Sequence, residues 1–335
     1  AAATALAEFH ADDPETLAAL ARQADPAQLR ILAGVLARSP ERAGRVLRDE
    51  LVHSRDQGEP LGQARLAIAL LLIEQPGASW PLFANAARPE LRTALIHQTA
   101  RHGVDWRLLV EQLGSGENPR AAAGVLLALG EYSLARLPRD DRAALRRSTL
   151  EPRDASHPDA GVRSAARWLA TRWLADERGF RDQLDRGLLD ADRASEVIAH
   201  FASLDAHNHD GRPRDGRNWF GTTRGDFTMR TLRGPHRYTM GSLDGGQDEA
   251  AQSVALDHSF AIATTEVPRD LFEEFTREMK VFSEDRQARR EQWAPHPQGA
   301  VPFVSWAEAA MFCSWFTARE GLSEREQCYD IDWVR

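Results

Sequence analysis

Lysine and cysteine are nearly missing from this sequence. Its 42 basic residues include one lysine, Lys280, which stands in Glu-Met-Lys-Val and not in a Gly-Lys-Ser/Thr loop. The sequence therefore contains neither a P-loop lysine nor a kinase-type nucleotide lysine. The two cysteines, Cys313 and Cys328, are too few for a disulfide-rich scaffold or a four-cysteine zinc site.

Long apolar runs and an export signal are also missing. The longest apolar runs, such as 66–73, fall well short of the ~20 residues that a membrane span needs. The first residues, Ala-Ala-Ala-Thr, have no methionine and no basic segment before an apolar core, so they do not form a secretory signal. We expect them to come from the interior of a longer chain, and we expect a cytoplasmic localisation.

The overall composition excludes further classes of protein. Hydrophobic residues make up 42% and charged residues 27% of the chain, which is typical of a soluble globular protein and excludes a disordered one. The 23 glycines are too few for collagen. A net charge of −8 argues against non-specific binding to nucleic acid. The length of 335 residues predicts two domains.

Residues 1–205 have the pattern of successive helices. Alanine, leucine, arginine and glutamate dominate this region, and apolar residues recur three and four apart, as in 29–36. Prolines interrupt the pattern where each would fit the first turn of the next helix. These prolines are Pro40, Pro76, Pro89, Pro119 and Pro158.

Three of the segments that begin at a proline resemble one another: 89–95, 119–125 and 158–166. Each has a proline, a charged residue and then small and apolar residues, and a spacing of about 30–45 residues is typical of HEAT-like helical pairs. Small residues such as Gly124 would let neighbouring helices pack closely. We therefore predict a HEAT-like helical repeat domain over 1–205, with an irregular helical bundle as the alternative.

The composition changes after residue 205. Residues 206–225 are rich in Gly, Asn, Asp, Arg and His and have no apolar period, which is typical of a connector. Short alternating stretches follow, such as 227–232 and 236–240, and they predict half-buried strands. The predicted fold class is therefore an α domain followed by an α+β domain, the second one over 226–335.

Several short motifs follow one another in the second domain. A strand ends in a Met-Gly-Ser turn, and a later strand leads through Glu-Val-Pro into a helix with spaced phenylalanines. A Val-Ser-Trp-x-x-Ala helix with a Cys-x-Trp ending comes next, and Gly-Leu and Cys-Tyr follow it. The residues at the motif positions, which we expect to be structural, are Met240, Gly241, Ser242, Glu266, Ser305, Trp306, Cys313 and Trp315.

This succession resembles the formylglycine-generating enzyme family, also called the sulfatase-modifying factor family. The resemblance implies a C-type-lectin-like domain, here truncated to its N-terminal part, after helical repeats as in bacterial multidomain relatives that often carry a protein kinase upstream. Active members oxidise a cysteine of a sulfatase peptide with molecular oxygen and a copper(I) ion held by two cysteines. Those cysteines and the family's calcium positions lie late in the domain, and no residue here matches them. We therefore assign no catalytic, cofactor-binding or metal-binding residue.

The Cys313 helix can also be analysed without the resemblance. Ser305 and Glu308 have the Ser-x-x-Glu spacing of a capping box. Trp306, Cys313 and Phe316 then lie at helical spacing with two alanines between them, which predicts one buried face and makes Cys313 a core thiol and not a nucleophile. In some relatives the matching cysteine pairs with a late one. Here Cys328 is expected to be free, and a disulfide between the two cysteines stays open.

The Glu-Val-Pro step departs from the family, which has threonine where Pro268 stands. Proline cannot cap a helix with a hydroxyl, but it suits a first helical turn, so we expect the helix to form with a shifted start. For Glu266 we favour a structural carboxylate that binds backbone near the helix start over a catalytic role.

Histidines offer two weaker candidates for a metal site. The His-Asn-His-Asp stretch at 207–210, with His200 upstream, could ligate a metal, but a His-x-His pair in a connector is more often solvated. A related branch of iron-dependent sulfoxide synthases uses histidines on facing helices of a bundle. His97 and His102 are five apart on one predicted helix and so lie on different faces, which argues against that branch.

Two further patterns have an ordinary interpretation that we favour. The glycine-rich stretch 241–246 resembles a phosphate loop only in its glycine content, and we interpret it as a turn. Arg120, Arg163 and Arg167 would suit a concave repeat surface for an acidic partner, but arginine-rich helices in an arginine-rich protein are usually solvated.

Two hypotheses of function follow. In the first, the sequence is part of a formylglycine-generating-type oxidoreductase whose helical repeats dock partners. In the second, the lectin-like domain is a non-catalytic binding module of a bacterial interaction or signalling protein. Both predict a protein or peptide as the partner.

Overall fold

The computed structural model describes residues 2–329 except 55–57, 85–87, 116–117, 135–136, 187–188, 206–207, 210, 225, 242–248 and 282. The described residues are mostly helical, and a small antiparallel sheet region lies in the C-terminal part. The predicted order of an α region followed by an α+β region is therefore confirmed. None of the described helices combines the length and the apolar character needed to span a bilayer.

The chain divides into two compact units. The first unit is Ala1–His157 with Gly161–Glu177, and the second is Pro158–Ala160 with Arg178–Arg335. The run of successive helices continues beyond this division and ends at Asp205. The units therefore divide at Arg178. The change of composition after residue 205, from which we predicted a domain boundary, lies instead where this run of helices ends.

The first unit is built from α-helices. They are α1 Ala2–Phe9, α2 Pro14–Gln23, α3 Pro26–Leu36, α4 Pro40–His53, α5 Pro60–Leu72, α6 Trp80–Phe83, α7 Pro89–Arg101, α8 Trp106–Gly114, α9 Pro119–Leu129, α10 Arg139–Leu145, α11 Glu151–Ser156 and α12 Ala160–Arg178. Pro40, Pro89 and Pro119 begin their helices as predicted, and Pro76 begins a 3-10 turn. Pro158 instead lies two residues before α12, because that helix begins at Ala160.

The core of the first unit is aliphatic, and α5 lies in its centre. Every residue of α5 from Gly62 to Leu71 is buried except Arg65, because α2, α4 and α7 all pack against this helix. A close approach of α6 and α9 explains Gly124. A Cβ atom at this position would lie 2.4 Å from the carbonyl oxygen of Phe83, so only glycine fits.

The second unit combines helices with short strands. They are α13 Arg181–Asp185, α14 Ala191–Asp205, β1 Trp219–Gly221, β2 Thr228–Leu232, β3 His236–Met240, β4 Gln252–Leu256, β5 Phe260–Ala263, α15 Arg269–Glu278, α16 Glu284–Trp293 and α17 Trp306–Arg319, with a 3-10 turn at Glu324–Glu326. One antiparallel sheet has the strand order β1-β2-β5, and β3 pairs with β4 in a second one. In register, Met229 lies opposite Ala263 and Tyr238 lies opposite Val254.

The core of the second unit is small and aromatic. Phe272 and Phe275 on α15 pack against Phe312 and Trp315 on α17, and Phe227 lies beside them. The β3-β4 sheet lies outside this cluster, and four of the five residues of β3 are exposed. The prediction of half-buried strands is therefore wrong for β3, in which only His236 is partly buried.

Candidate functional site

The start of α17 is fixed by the predicted capping box. The backbone N–H of Glu308 donates to Ser305 Oγ at 3.2 Å, and the backbone N–H of Ser305 donates to Glu308 Oε2 at 2.9 Å. Both orphan donors are thus satisfied within four residues, which is why this helix start could be predicted from the sequence. Ser305 Oγ also donates to Glu308 Oε2 at 2.7 Å.

Two arginines of α16 complete the surroundings of the Glu308 carboxylate. Arg290 Nη2 lies 3.0 Å and Arg286 Nη1 lies 2.7 Å from Glu308 Oε1. Burial by itself would raise the pKa of Glu308, but the hydrogen bonds from Ser305 and from the two arginines outweigh burial and lower this pKa to about 2. Arg290 is itself buried, and its guanidinium stacks 4.8 Å from the centre of the Phe272 ring.

The buried face of α17 differs from the predicted one. Trp306 is 57% exposed and Cys313 is exposed, whereas Phe312 and Trp315 are buried. Apolar residues occupy two adjacent faces of this helix, about 100° apart, and helical spacing alone does not choose between them. The phenylalanines of α15 decide the choice, because the Phe275 ring packs 5.6 Å from Phe312.

Cys313 is therefore a surface thiol and not a core thiol. Cys313 and Cys328 are both free. Partial burial of the sulfur raises the pKa of Cys313, and the neighbouring Cys328 adds to this rise. Little of the nucleophilic thiolate forms at Cys313 near neutral pH as a result.

The Met-Gly-Ser turn needs its glycine. Gly241 has φ +92, and a Cβ atom there would lie 2.5 Å from the carbonyl oxygen of Glu249. Met240 ends β3 opposite Gln252 and is exposed. Ser242 lies outside the described residues, as does nearly all of the stretch that resembles a phosphate loop.

Glu266 does not cap α15, which corrects our expectation. It is exposed and makes no hydrogen bond with any described residue. Backbone carbonyl oxygens of a later segment satisfy the first N–H groups of the helix instead: Arg269 donates to Gly299 at 2.9 Å and Asp270 donates to Pro297 at 3.0 Å. Pro268 is the extended N-cap residue, so the helix starts one residue after the proline, as a shifted start predicts.

An acidic cleft lies beside α15, and the sequence did not point to it. Its volume is about 630 Å³. The residues that line it are Asp226, Pro268, Asp270, Leu271, Glu274, Arg277, Glu278 and Gln298. Asp270, Glu274 and Glu278 follow each other at a spacing of four, so they share one face of α15. That spacing is the signal in the sequence that could have indicated the cleft. A row of acidic residues on a helix, however, usually forms only a solvated face.

The four carboxylates of the acidic cleft differ in their partners. Arg319 Nε donates to Asp226 at 2.9 Å and Arg319 Nη1 donates to Glu274 at 2.7 Å, and these hydrogen bonds raise the pKa of Arg319. Asp270 instead accepts from the amide of Gln298, and Glu278 accepts from the indole N–H of Trp315 at 2.7 Å. Among the described residues, Asp270 and Glu278 thus accept hydrogen bonds from neutral donors only.

The histidine candidates are dispersed. His97 lies 3.3 Å from a carboxylate oxygen of Glu131, while His102 is buried with Nδ1 2.8 Å from the carbonyl oxygen of Gln98. Burial lowers the pKa of His102, so its imidazole is neutral near pH 7. His200 is exposed, and the 207–210 stretch is described only in part. Across the described residues, no three His, Cys, Asp or Glu side chains form a metal-ligand group.

The three arginines proposed for a repeat surface do not form a set. Arg120 is exposed and Arg167 is half-buried, but Arg163 is buried. The expectation of a solvated side chain is therefore wrong for Arg163, which lies within the packed part of α12.

No family model, curated protein or solved structure matches this chain. Function must therefore be inferred from the residues and their geometry. In the described part of the second unit, the acidic cleft combines charge, volume and side chains of fixed orientation.

Proposed function

We propose that this protein binds a protein or peptide partner, and that the acidic cleft takes two basic side chains of that partner. The observation that carries the proposal is the pair of carboxylates, Asp270 and Glu278, that have only neutral donors. A guanidinium group is the donor that best matches a carboxylate, because it can form two parallel charge-assisted hydrogen bonds.

The spacing of the two carboxylates suggests the form of the ligand. Asp270 and Glu278 lie eight residues apart on α15, which corresponds to about 12 Å along the helix axis. In an extended peptide, two side chains four residues apart are separated by about 13 Å and lie on the same side. Two arginines at this spacing would reach both carboxylates, while Leu271 and Pro268 offer apolar contact in the same cleft.

The proposed setting is the formylglycine-generating enzyme family. The motif order and the Ser305 capping box support a C-type-lectin-like domain over 226–335, and the packed helices of the first unit support HEAT-like repeats that dock a partner. The copper(I) and calcium that the family implies do not fit the acidic cleft. The carboxylates of the cleft are hard ligands, unlike the soft thiolates that copper(I) prefers, and no three candidate ligands converge in the described part. We therefore derive no step through either metal.

Binding to a synthetic peptide tests the proposal. The probe is Ac-Arg-Gly-Ser-Gly-Arg-amide, and the matched control peptide carries citrulline, which is neutral but similar in shape, at both arginine positions. Calorimetry on the full chain at low salt should show binding of the arginine peptide only. Because exposed charges are screened, the affinity should fall as salt is added.

Variants of the protein separate the cleft from general acidity. The double change Asp270→Asn and Glu278→Gln should weaken binding about tenfold or more, since each lost charge-assisted hydrogen bond contributes about 1.5–3 kcal/mol. The control removes the same charge elsewhere through Glu324→Gln and Glu326→Gln on the exposed 3-10 turn. Equal loss in the control, or equal binding of the citrulline peptide, would refute the cleft as the site.

The motif order favours a second candidate function, in which the protein is a copper-dependent oxidoreductase. Oxidation of a cysteine peptide to formylglycine by the copper-loaded full chain would support this candidate and would count against a purely non-catalytic module. A chain that binds the arginine peptide but leaves the cysteine peptide unchanged supports the binding role alone.

A further inference from the structure

The segment after α17 turns back along that helix. Gly321 has φ +75, and the chain reverses there in a Schellman motif, with Leu322 N–H donating to the Thr317 carbonyl at 3.1 Å and Gly321 N–H donating to the Ala318 carbonyl at 3.0 Å. The 3-10 turn Glu324–Glu326 then packs on α17. We call residues 322–329 the return segment.

The return segment reaches the first turn of α17. The Tyr329 ring lies edge-on to the Trp306 ring, with 5.6 Å between the ring centres. Cys313 follows Trp306 by seven residues, which is two helical turns, so both side chains lie on the same exposed face of α17. Cys328 immediately precedes Tyr329. The fold therefore brings two free cysteines, far apart on an extended chain, to one face of one helix.

We propose that Cys313 and Cys328 are a redox pair, in which a disulfide between them fastens the return segment onto the Trp306 face of α17 and reduction releases it. The electrostatic influence of the Cys328 thiol on Cys313 supports their proximity. A disulfide needs Cα atoms about 5.5 Å apart. Since α17 is a packed helix and Cys328 is exposed, the return segment is the part that adjusts.

The oxidant is a small-molecule disulfide of the glutathione type. One protein thiolate attacks this disulfide, forms a mixed disulfide and releases one glutathione thiolate, which takes up a proton. The second protein thiolate attacks the protein sulfur of the mixed disulfide, so that the Cys313–Cys328 bond forms and a second glutathione leaves. Two electrons pass from the two cysteines to the glutathione disulfide, and the reverse sequence restores both thiols.

The order of attack follows from the surroundings of each thiol. Because the pKa of Cys313 is raised, Cys313 contributes little thiolate for the first attack. Cys328 is therefore expected to react first with glutathione disulfide, and Cys313 is expected to resolve the mixed disulfide. The Cys313→Ser variant should accordingly accumulate one glutathione on Cys328, whereas Cys328→Ser should react slowly.

Intact mass measurement of the full chain in glutathione buffers tests the pair. With excess glutathione disulfide, most of the wild-type protein should lose the mass of two hydrogen atoms, become resistant to alkylation and yield a cross-linked 313–328 peptide on digestion. Excess reduced glutathione should reverse this change. Disulfide formation should also reduce quenching of the exposed Trp306 by iodide, a change that the Trp306→Phe variant should lack.

Two results would overturn the proposal. The first is a wild-type protein that accumulates glutathione on both cysteines without closing the bond. The second is a disulfide that forms only between two molecules. Cys313→Ser and Cys328→Ser both lie at exposed positions, so loss of folding does not confound the comparison.

Discussion

The two units of this protein are stabilised by different kinds of contact. In the first unit, aliphatic side chains from successive helices fill the core, and α5 is buried along almost its whole length. In the second unit, the core is a handful of aromatic rings between α15 and α17, and buried arginines hold the surrounding segments. A unit with a small core buries fewer apolar side chains, so specific polar contacts hold more of its chain in place.

The polar contacts of the second unit also position its surfaces. Arg290 connects α16 to the start of α17 through Glu308, and Arg319 connects α17 to Asp226 and Glu274. The same guanidinium that holds the fold together thus orients two walls of the acidic cleft. In the first unit, Arg22 likewise connects α2 to Glu50 of α4 and to Glu59, but the adjacent helices there also share continuous apolar contact.

The aromatic core should be the most sensitive point of the molecule. Phe275→Ala removes a fully buried ring between Phe312 and Trp315 and should lower the opening free energy of α15 and α17 by about 4 kcal/mol. Native-state hydrogen exchange followed by peptide mass analysis measures this quantity for each element separately. Amides of α5 should keep their protection, and a matching loss there would show that the units do not unfold independently.

The reciprocal change in the first unit should have a slightly smaller effect. Leu70→Ala in the buried centre of α5 should cost about 3 kcal/mol, since an aliphatic cavity is smaller than that left by a ring. Hydrogen exchange should locate the loss in α2, α4 and α7, which pack on α5. If α15 lost protection equally, the comparison between two separate cores would fail.

Removing the charge of Glu308 should destabilise only the second unit, by about 2 kcal/mol, because Arg290 would remain buried without a carboxylate.

The stabilisation by Glu308 depends on pH. The folded pKa of about 2 lies below the ordinary value of 4.5. Stabilisation by this carboxylate is therefore complete above about pH 4.5 and is lost as the pH falls towards 2. Acid titration of second-unit protection in the wild type and in Glu308→Gln should converge at low pH. Curves that stay parallel down to pH 2.5 would contradict this account.

Arg286→Ala should have the smallest effect, below about 1 kcal/mol. Arg286 contacts the same carboxylate oxygen as Arg290, but its side chain is 54% exposed, so solvent screens the interaction. Urea unfolding monitored by hydrogen exchange of α16 and α17 should barely distinguish this variant from the wild type. An effect as large as that of Glu308→Gln would mean that the exposed arginine, and not the buried one, holds the carboxylate.

Local features of the fold were predictable to a useful degree. The change from helices to short strands, the prolines that begin α4, α7 and α9, and the capping box at Ser305 all depend on residues within a few positions of each other. The face of α17 was not predictable, because Trp306 and Phe312 are both apolar and only the rings of α15 choose between them. The capping of α15 was equally hidden, because its acceptors lie at 297–299, some thirty residues downstream of the helix start.

The sequence by itself determined where several helices begin, including α4, α7, α9 and α17, and which chemistries a single lysine and two cysteines exclude. Backbone hydrogen bonding, propensity and capping act over one or two turns, so their signals are written in consecutive residues. Only the tertiary structure decided that Cys313 faces solvent near Cys328 and that Asp226 joins the carboxylates of α15 in one cleft. These outcomes depend on which surfaces lose the most water when distant segments pack, and that choice is made by the whole set of side chains at once.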